Sequence, residues 1–301
     1  MDNIFSYIFS VEFVNAVIRM STPLLFVAMA AVIGAKADVL CIAFEGVMLC
    51  SALGGVLASG YSNSLLVGML AGLAAGLLIT GVFAYFVLVL HTEQMLVGLA
   101  LNLFSSGITV TLLYAFTRSK TSSVGLPSLA FPNVTIPVVD GIPVLGEIIS
   151  GQNILTYASI LCVFLVHIML YKTPFGLRVR SVGEAPHAAE AVGINVVRIK
   201  FSALMISGVL ASFGGMFMSM GYLTAFTRDM ISGRGFIGIA AQSLGQCRPI
   251  LTMIWTYIFG AATAVGNAAQ GFGMPSQLAI MLPYVITIVG LMLAGIRKKN
   301  V

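Results

Sequence analysis

The sequence predicts an all-α, polytopic membrane protein of about nine transmembrane helices, including a broken or re-entrant one. Three observations carry that prediction. Apolar residues fill 59% of the 301 positions, charged residues only 8%, and mean hydropathy is +1.04, whereas soluble domains are roughly one-quarter charged. No Asp, Glu, Lys or Arg occurs from Gly46 to Thr92 or from Pro249 to Ile296. One span needs only about 20 apolar residues, so each of these runs holds two helices. Set against Gly, Pro and charged breaks, the apolar runs resolve into nine candidate spans.

The elements follow in order. The N-terminal MDNIFSYIFSVEF carries Asp2 and Glu12 but no basic region, so it does not read as a cleaved signal peptide. Spans are expected at 12–34, 39–59, 64–90 and 94–116. Gly68, Gly72 and Gly76 form a small-xxx-small row that lets helices approach closely. The segment 117–151 contains Pro127, Pro132, Pro137 and Pro143, which exclude one continuous helix and predict an ordered loop or short interfacial elements. Further spans are expected at 152–171, 199–222, a short 235–247, 250–267 and 275–296. EGVMLCSALGG (45–55) and GFIGIAAQSLG (235–245) resemble each other weakly, a hint of the internal duplication that transporters use.

Charge sets the orientation. With the C-terminus in the cytoplasm, Lys36, Lys172, Arg178, Arg180, Arg198, Lys200, Arg248, Arg297, Lys298 and Lys299 lie inside. Only Arg118, Lys120, Arg228 and Arg234 lie outside, and Arg19 falls within a span. Basic loops resist translocation, so this orientation is favoured. The net charge of +5 therefore belongs to membrane loops near lipid headgroups and does not point to nucleic acid.

The stretch 172–200 is the most charged part of the chain and faces the cytoplasm. Pro186 suits the first turn of a helix and Gly193 the position just past its end. The HAAEAV between them makes a helix of about two turns, too short to stand alone. Its ordering requires docking. Ala188, Ala189 and Val192 offer a small apolar face, and Glu184 and Glu190 add charges that headgroup binding does not need.

YKTPFGLRVRSVGEAPHAAEAVGINVVRIK resembles the cytoplasmic loop of bacterial ABC importer permeases of the branched-chain amino acid, ribose and nucleoside group. The shared pattern is T-x-x-G-x-x-x-R-x-x-G-E/N-x-x-x-A-A-x-x-x-G-I-N. STPLLFVAMAAVIGAKADVLCIAFEGVMLCSAL is similar to the family segment where a span breaks and restarts at an E-G-M-M-L-type motif, and MLVGLALNLFSSGIT and GRGFIGIAAQSLGQCRPI are similar to two more. The E-G, N-L and G-R-G-F-I forms look most like the nucleoside permeases served by basic-membrane-protein lipoprotein receptors.

The resemblance implies a type II ABC importer-like fold in the bacterial cytoplasmic (inner) membrane. It implies one permease domain over 1–301, with external loop 117–151 and cytoplasmic coupling loop 172–200. There Arg180, Glu184, Ala188, Ala189, Glu190, Val192 and Gly193 would meet a separate ATPase. It also implies a substrate-binding lipoprotein outside and a second permease. The missing extra N-terminal span of longer relatives suggests the shorter of two non-identical permeases.

Several polar residues interrupt apolar segments. Glu45 is either a polar contact in the pathway or a salt bridge or helix-start carboxylate near Lys36 and Asp38. An ionised group at a helix centre costs at least about 2.5 kcal/mol, so it is paired, hydrated or useful. Asn102 and Gln242 bring amides that donate and accept toward a base or ribose, or bond between helices. Arg234 precedes the shortest, glycine-rich span, beside the pathway or snorkelling outward, and Phe236 is a candidate for stacking on a base. His91, Glu93 and His167 form no catalytic or metal constellation, and Cys41, Cys50, Cys162 and Cys247 lack metal-like spacing.

No G-x-x-x-x-G-K-[ST] loop is present, so ATP and its magnesium are expected on the partner ATPase, with no cofactor or catalytic residue in this chain. Permeases for ribose or other simple sugars remain an alternative. So does an ATPase-independent secondary transporter, although such carriers bury several ionisable groups and Glu45 stands almost alone.

Overall fold

The computed structural model describes residues 10–126, 128–135 and 150–271, and beyond them residues 278, 281–286, 288 and 292. Its helices are α1 (Val11–Lys36), α2 (Phe44–Ser62), α3 (Leu65–Leu88), α4 (Gln94–Thr117), α5 (Ile154–Lys172), α6 (Pro174–Glu184), α7 (Pro186–Ala191), α8 (Val196–Met216), α9 (Arg234–Leu244) and α10 (Pro249–Gly271). α8 continues into a wider π-helical turn, Phe217–Tyr222. β1 (Asn133–Val134) and β2 (Gln152–Asn153) pair antiparallel and order part of the proline-rich loop.

Among the described residues, 7 helices are long and apolar enough to cross a membrane: α1 to α5, α8 with its π turn, and α10. This is a multi-pass membrane protein. The expected count of nine is not reached on these residues. α9 has 11 residues, about 16 Å, or half a bilayer. The expected span at 275–296 lies largely outside the described residues.

α1 is the axis of the bundle. Every residue from Met20 to Gly34 is buried, and α5, α8, α9 and α10 surround it. A helix apolar all round belongs in such a core. α3 and α4 instead leave Leu66, Leu70, Leu78, Leu96 and Leu103 exposed, the surface that a bilayer or another membrane subunit covers. The glycine row on α3 packs as its spacing predicts. A Cβ on Gly68 would stand 2.7 Å from Ser59, one on Gly72 2.5 Å from Met216, and one on Gly76 would collide with Ser212. Glycine there lets α3 seat against α2 and α8 at backbone distance.

The chain breaks where the second span was expected to begin. α1 ends at Lys36, and residues 37–43 climb without helix before α2 starts at Phe44. Backbone polar groups inside a membrane need internal partners, and α4 supplies them. Leu40 N–H donates to Gln94 Oε1 at 2.9 Å, at the start of α4. Farther up, Asn102 Nδ2 donates to the Ile42 carbonyl at 3.0 Å, and Gly46 N–H donates to Asn102 Oδ1 at 2.8 Å. Asn102 lies eight residues beyond Gln94, about 12 Å along the helix. α2 therefore begins inside the membrane.

Candidate functional site

The second helix that begins at membrane depth is α9, and Glu45 joins the two. Its Oε1 accepts from Gly233 N–H at 2.7 Å and its Oε2 from Gly235 N–H at 2.8 Å. The first N–H groups of a helix have no internal partner, and the positive end of its dipole favours an anion there. Gly233 holds φ +80, which glycine adopts without strain. A Cβ on Gly235 would lie 2.7 Å from the Glu45 nitrogen. Only glycine allows this approach.

The helix-start role was one of the two expected for Glu45, but it serves α9 instead of a helix near Lys36. Asp38 pairs with Lys200, 3.4 Å away. Arg234 turns its Nη1 back to the Met230 and Ile231 carbonyls at 3.1 and 3.0 Å, bracing the turn that Glu45 caps.

The structure thus brings Glu45, Asn102 and Arg234 to one junction, with Phe236 next to it on α9 and 39% exposed. Gln242 is not part of it. It lies seven residues beyond Gly235, about 10 Å along α9, and its Nε2 donates to Cys247 Sγ at 2.7 Å. Among the described residues, no group of three or more His, Cys, Asp or Glu gathers to hold a metal ion. Sequence reading missed Gln94, whose only signal was an amide at the mouth of a span. It also missed Ser106 and Asp229, which bond at 3.2 Å across 123 residues of sequence.

The basic end of the bundle carries α6 and α7. Pro174 and Pro186 open these helices. α6 is anchored by buried Val179 and Val182 and by Gly183, where a Cβ would collide with the Lys36 carbonyl. The Arg180 guanidinium lies over the Tyr171 ring, 5.1 Å from its centroid. Gly193, at φ +82, closes α7, its N–H donating to the Glu190 carbonyl at 2.9 Å.

The outward face expected here needs one correction. Ala189 is 3% exposed and turns into its own chain, because a helix this short needs an apolar anchor on the protein. Ala188, Glu184 and Glu190 face outward, Val192 is 75% exposed, and Leu177 of α6, which sequence reading passed over, is 61% exposed. The exposed apolar side chains of this region therefore include Leu177, Ala188 and Val192.

Comparison with known proteins agrees with this architecture. A solved structure of PsaBC from Streptococcus pneumoniae in complex with Fab superposes with a TM-score of 0.57 at 12% identity, covering 96% of this chain and 94% of that one, which is a likeness of fold. The guanosine ABC transporter permease protein NupQ of Bacillus subtilis (strain 168) is 34% identical over 294 residues, covering 92% of this chain and 90% of the relative. The nucleoside ABC transporter permease protein NupC of Lactococcus lactis subsp. cremoris (strain MG1363) is 32% identical over 284 residues, covering 91% and 89%. The family model described as branched-chain amino acid transport system / permease component matches residues 13–291. With that match over nearly its whole length, the chain belongs to the branched-chain amino acid transport system / permease component family.

Proposed function

We propose that this chain is the permease subunit of an ATP-driven nucleoside importer in the bacterial cytoplasmic membrane. It forms half of the translocation pathway and leaves ATP hydrolysis, with its magnesium, to a separate ATPase. The observation that carries this reading is the identity, 34% and 32% over about nine-tenths of the chain, to relatives named for guanosine and nucleoside transport. The internal geometry supports it. Polar groups at membrane depth converge where two helices begin, the arrangement in which transporters build pathways. At the Lys36 end of α1, α6 and α7 present Leu177, Ala188 and Val192 among Glu184, Glu190 and basic residues, a surface fitted to a protein partner.

In this reading the ATPase docks on α6 and α7, a second permease completes the pore, and a lipoprotein receptor delivers substrate from outside. Reconstitution of the chain with these three partners in proteoliposomes tests it. ATP-dependent guanosine uptake is expected, abolished when the ATPase is omitted. Uptake that persists without the ATPase would favour secondary transport, and uptake of ribose in place of nucleosides would overturn the substrate.

A further inference from the structure

Non-helical backbone at membrane depth survives only where protein buries it or water lines it. The segment joining α8 to α9, residues 223–233, is buried on one side and exposed on the other. One side is buried through Phe226, Met230 and Ile231, and Phe226 N–H donates to Ser123 Oγ at 2.8 Å. The other side presents Arg228 and Asp229, which are 3.4 Å apart with side chains 61% and 59% exposed.

α4 sets their depth. Ser106 Oγ donates to Asp229 Oδ1 at 3.2 Å. Ser106 stands twelve residues from Gln94 and eleven from Thr117, about 18 and 16 Å from the two ends. That is too deep for a surface on which a receptor lands. It is also the wrong place for two exposed charges to meet hydrocarbon, since charged groups inside a membrane protein face a polar cavity or each other.

A carboxylate offers about four acceptor positions. Ser106 occupies one on Oδ1 and Arg228 faces Oδ2, leaving acceptor positions on both oxygens of a side chain that is 59% exposed. Two adjacent hydroxyls match such a pair. We infer that Asp229, oriented by Ser106 and Arg228, is a substrate-binding residue of the pathway that accepts hydrogen bonds from the vicinal 2′- and 3′-hydroxyls of a ribonucleoside. The inference rests on the nucleoside reading above and deepens it.

Asp229→Asn tests it, because the amide oxygen still accepts from Ser106 while the charge is removed. Uptake of uridine and of 2′,3′-dideoxyuridine is measured in proteoliposomes holding the full complex, so that the receptor's own preference is common to wild type and variant. Uridine uptake is expected to fall about tenfold or more while dideoxyuridine uptake stays within about twofold. Parallel loss of both, or loss of neither, would overturn the assignment. Should Asp229→Asn not assemble, Ser106→Ala must show the same selective loss or the proposal falls. Failure of the wild-type complex to take up either nucleoside is a different result, visible before any substitution, and removes the nucleoside reading together with this inference.

Discussion

α9 and α7 are both too short to hold themselves, with 11 and 6 residues, and they are held in opposite ways. α9 begins at membrane depth, where its free N–H groups have no water to turn to. It depends on a carboxylate that α2 delivers from 188 and 190 positions away in sequence. α7 lies at the charged end and is closed locally, by Gly193 and by Ile194 N–H donating to the Ala189 carbonyl at 3.0 Å, with one buried methyl, Ala189, as its anchor. Inside the bilayer a polar partner must come from elsewhere in the chain. At the water-facing end, a turn and a single apolar contact suffice.

The sharpest way to break this contrast is Glu45→Ala. Two hydrogen bonds to a charged group are lost and two amide donors are left in a dry site, an expected cost of about 3 kcal/mol or more. Thermal unfolding of the purified complex and its uptake should both drop. Glu45→Gln, which retains a single acceptor oxygen, should fall in between. Unchanged unfolding of Glu45→Ala would mean that water fills the junction and that the contrast is wrong.

Asn102→Leu comes next. It orphans the Ile42 carbonyl and the Gly46 N–H together, for about 2 kcal/mol, and should free residues 37–43 for hydrogen exchange while α9 stays protected. Equal exposure of both segments would show that Glu45 and Asn102 act as one unit.

At the other end, Ala189→Arg and Val192→Arg should separate. The first forces a charge into a packed site, costing about 1–3 kcal/mol of stability, and it loses the ATPase as a consequence of lost folding. The second leaves unfolding within about 0.5 kcal/mol and yet lowers ATPase co-purification, because only the docking patch is altered. If Val192→Arg retains the ATPase with full substrate-stimulated hydrolysis, the patch is not the contact.

The smallest effect is expected from Asp38→Asn, which removes the charge from a side chain that is 68% exposed and keeps a residue type that tolerates the φ of +54 there. A partly exposed pair of this kind contributes under about 1 kcal/mol. Unfolding should shift little, and less still in high salt.

Much of the fold was legible in the sequence. Charge-free runs and helix-length apolar segments located α1 to α5, α8 and α10 within several residues, since length and hydropathy are what a bilayer selects. Pro186 and Gly193 bounded α7 because their backbone preferences act locally. Gly68, Gly72 and Gly76 marked a packing face because residues four apart share one side of a helix.

Of the candidate site, the sequence marked Glu45, Asn102 and Arg234 as polar groups out of place in an apolar chain, but not what they bind. The break after Lys36 and the beginning of α2 at membrane depth depend on Gln94 and Asn102, which lie 54 to 60 positions from the backbone groups they satisfy. Asp229 reads as a loop residue until its bond to Ser106 fixes its depth. A six-residue helix is also too short for periodicity to reveal that Ala189 turns inward while Ala188 and Val192 turn out. By itself, then, the sequence determined the membrane class, the spans and the local helix ends, through properties each segment carries alone. The tertiary structure decided the junction, the buried anchor and the exposed carboxylate, because a hydrogen bond is chosen by whatever partner the fold brings within about 3 Å, and sequence distance holds no record of it.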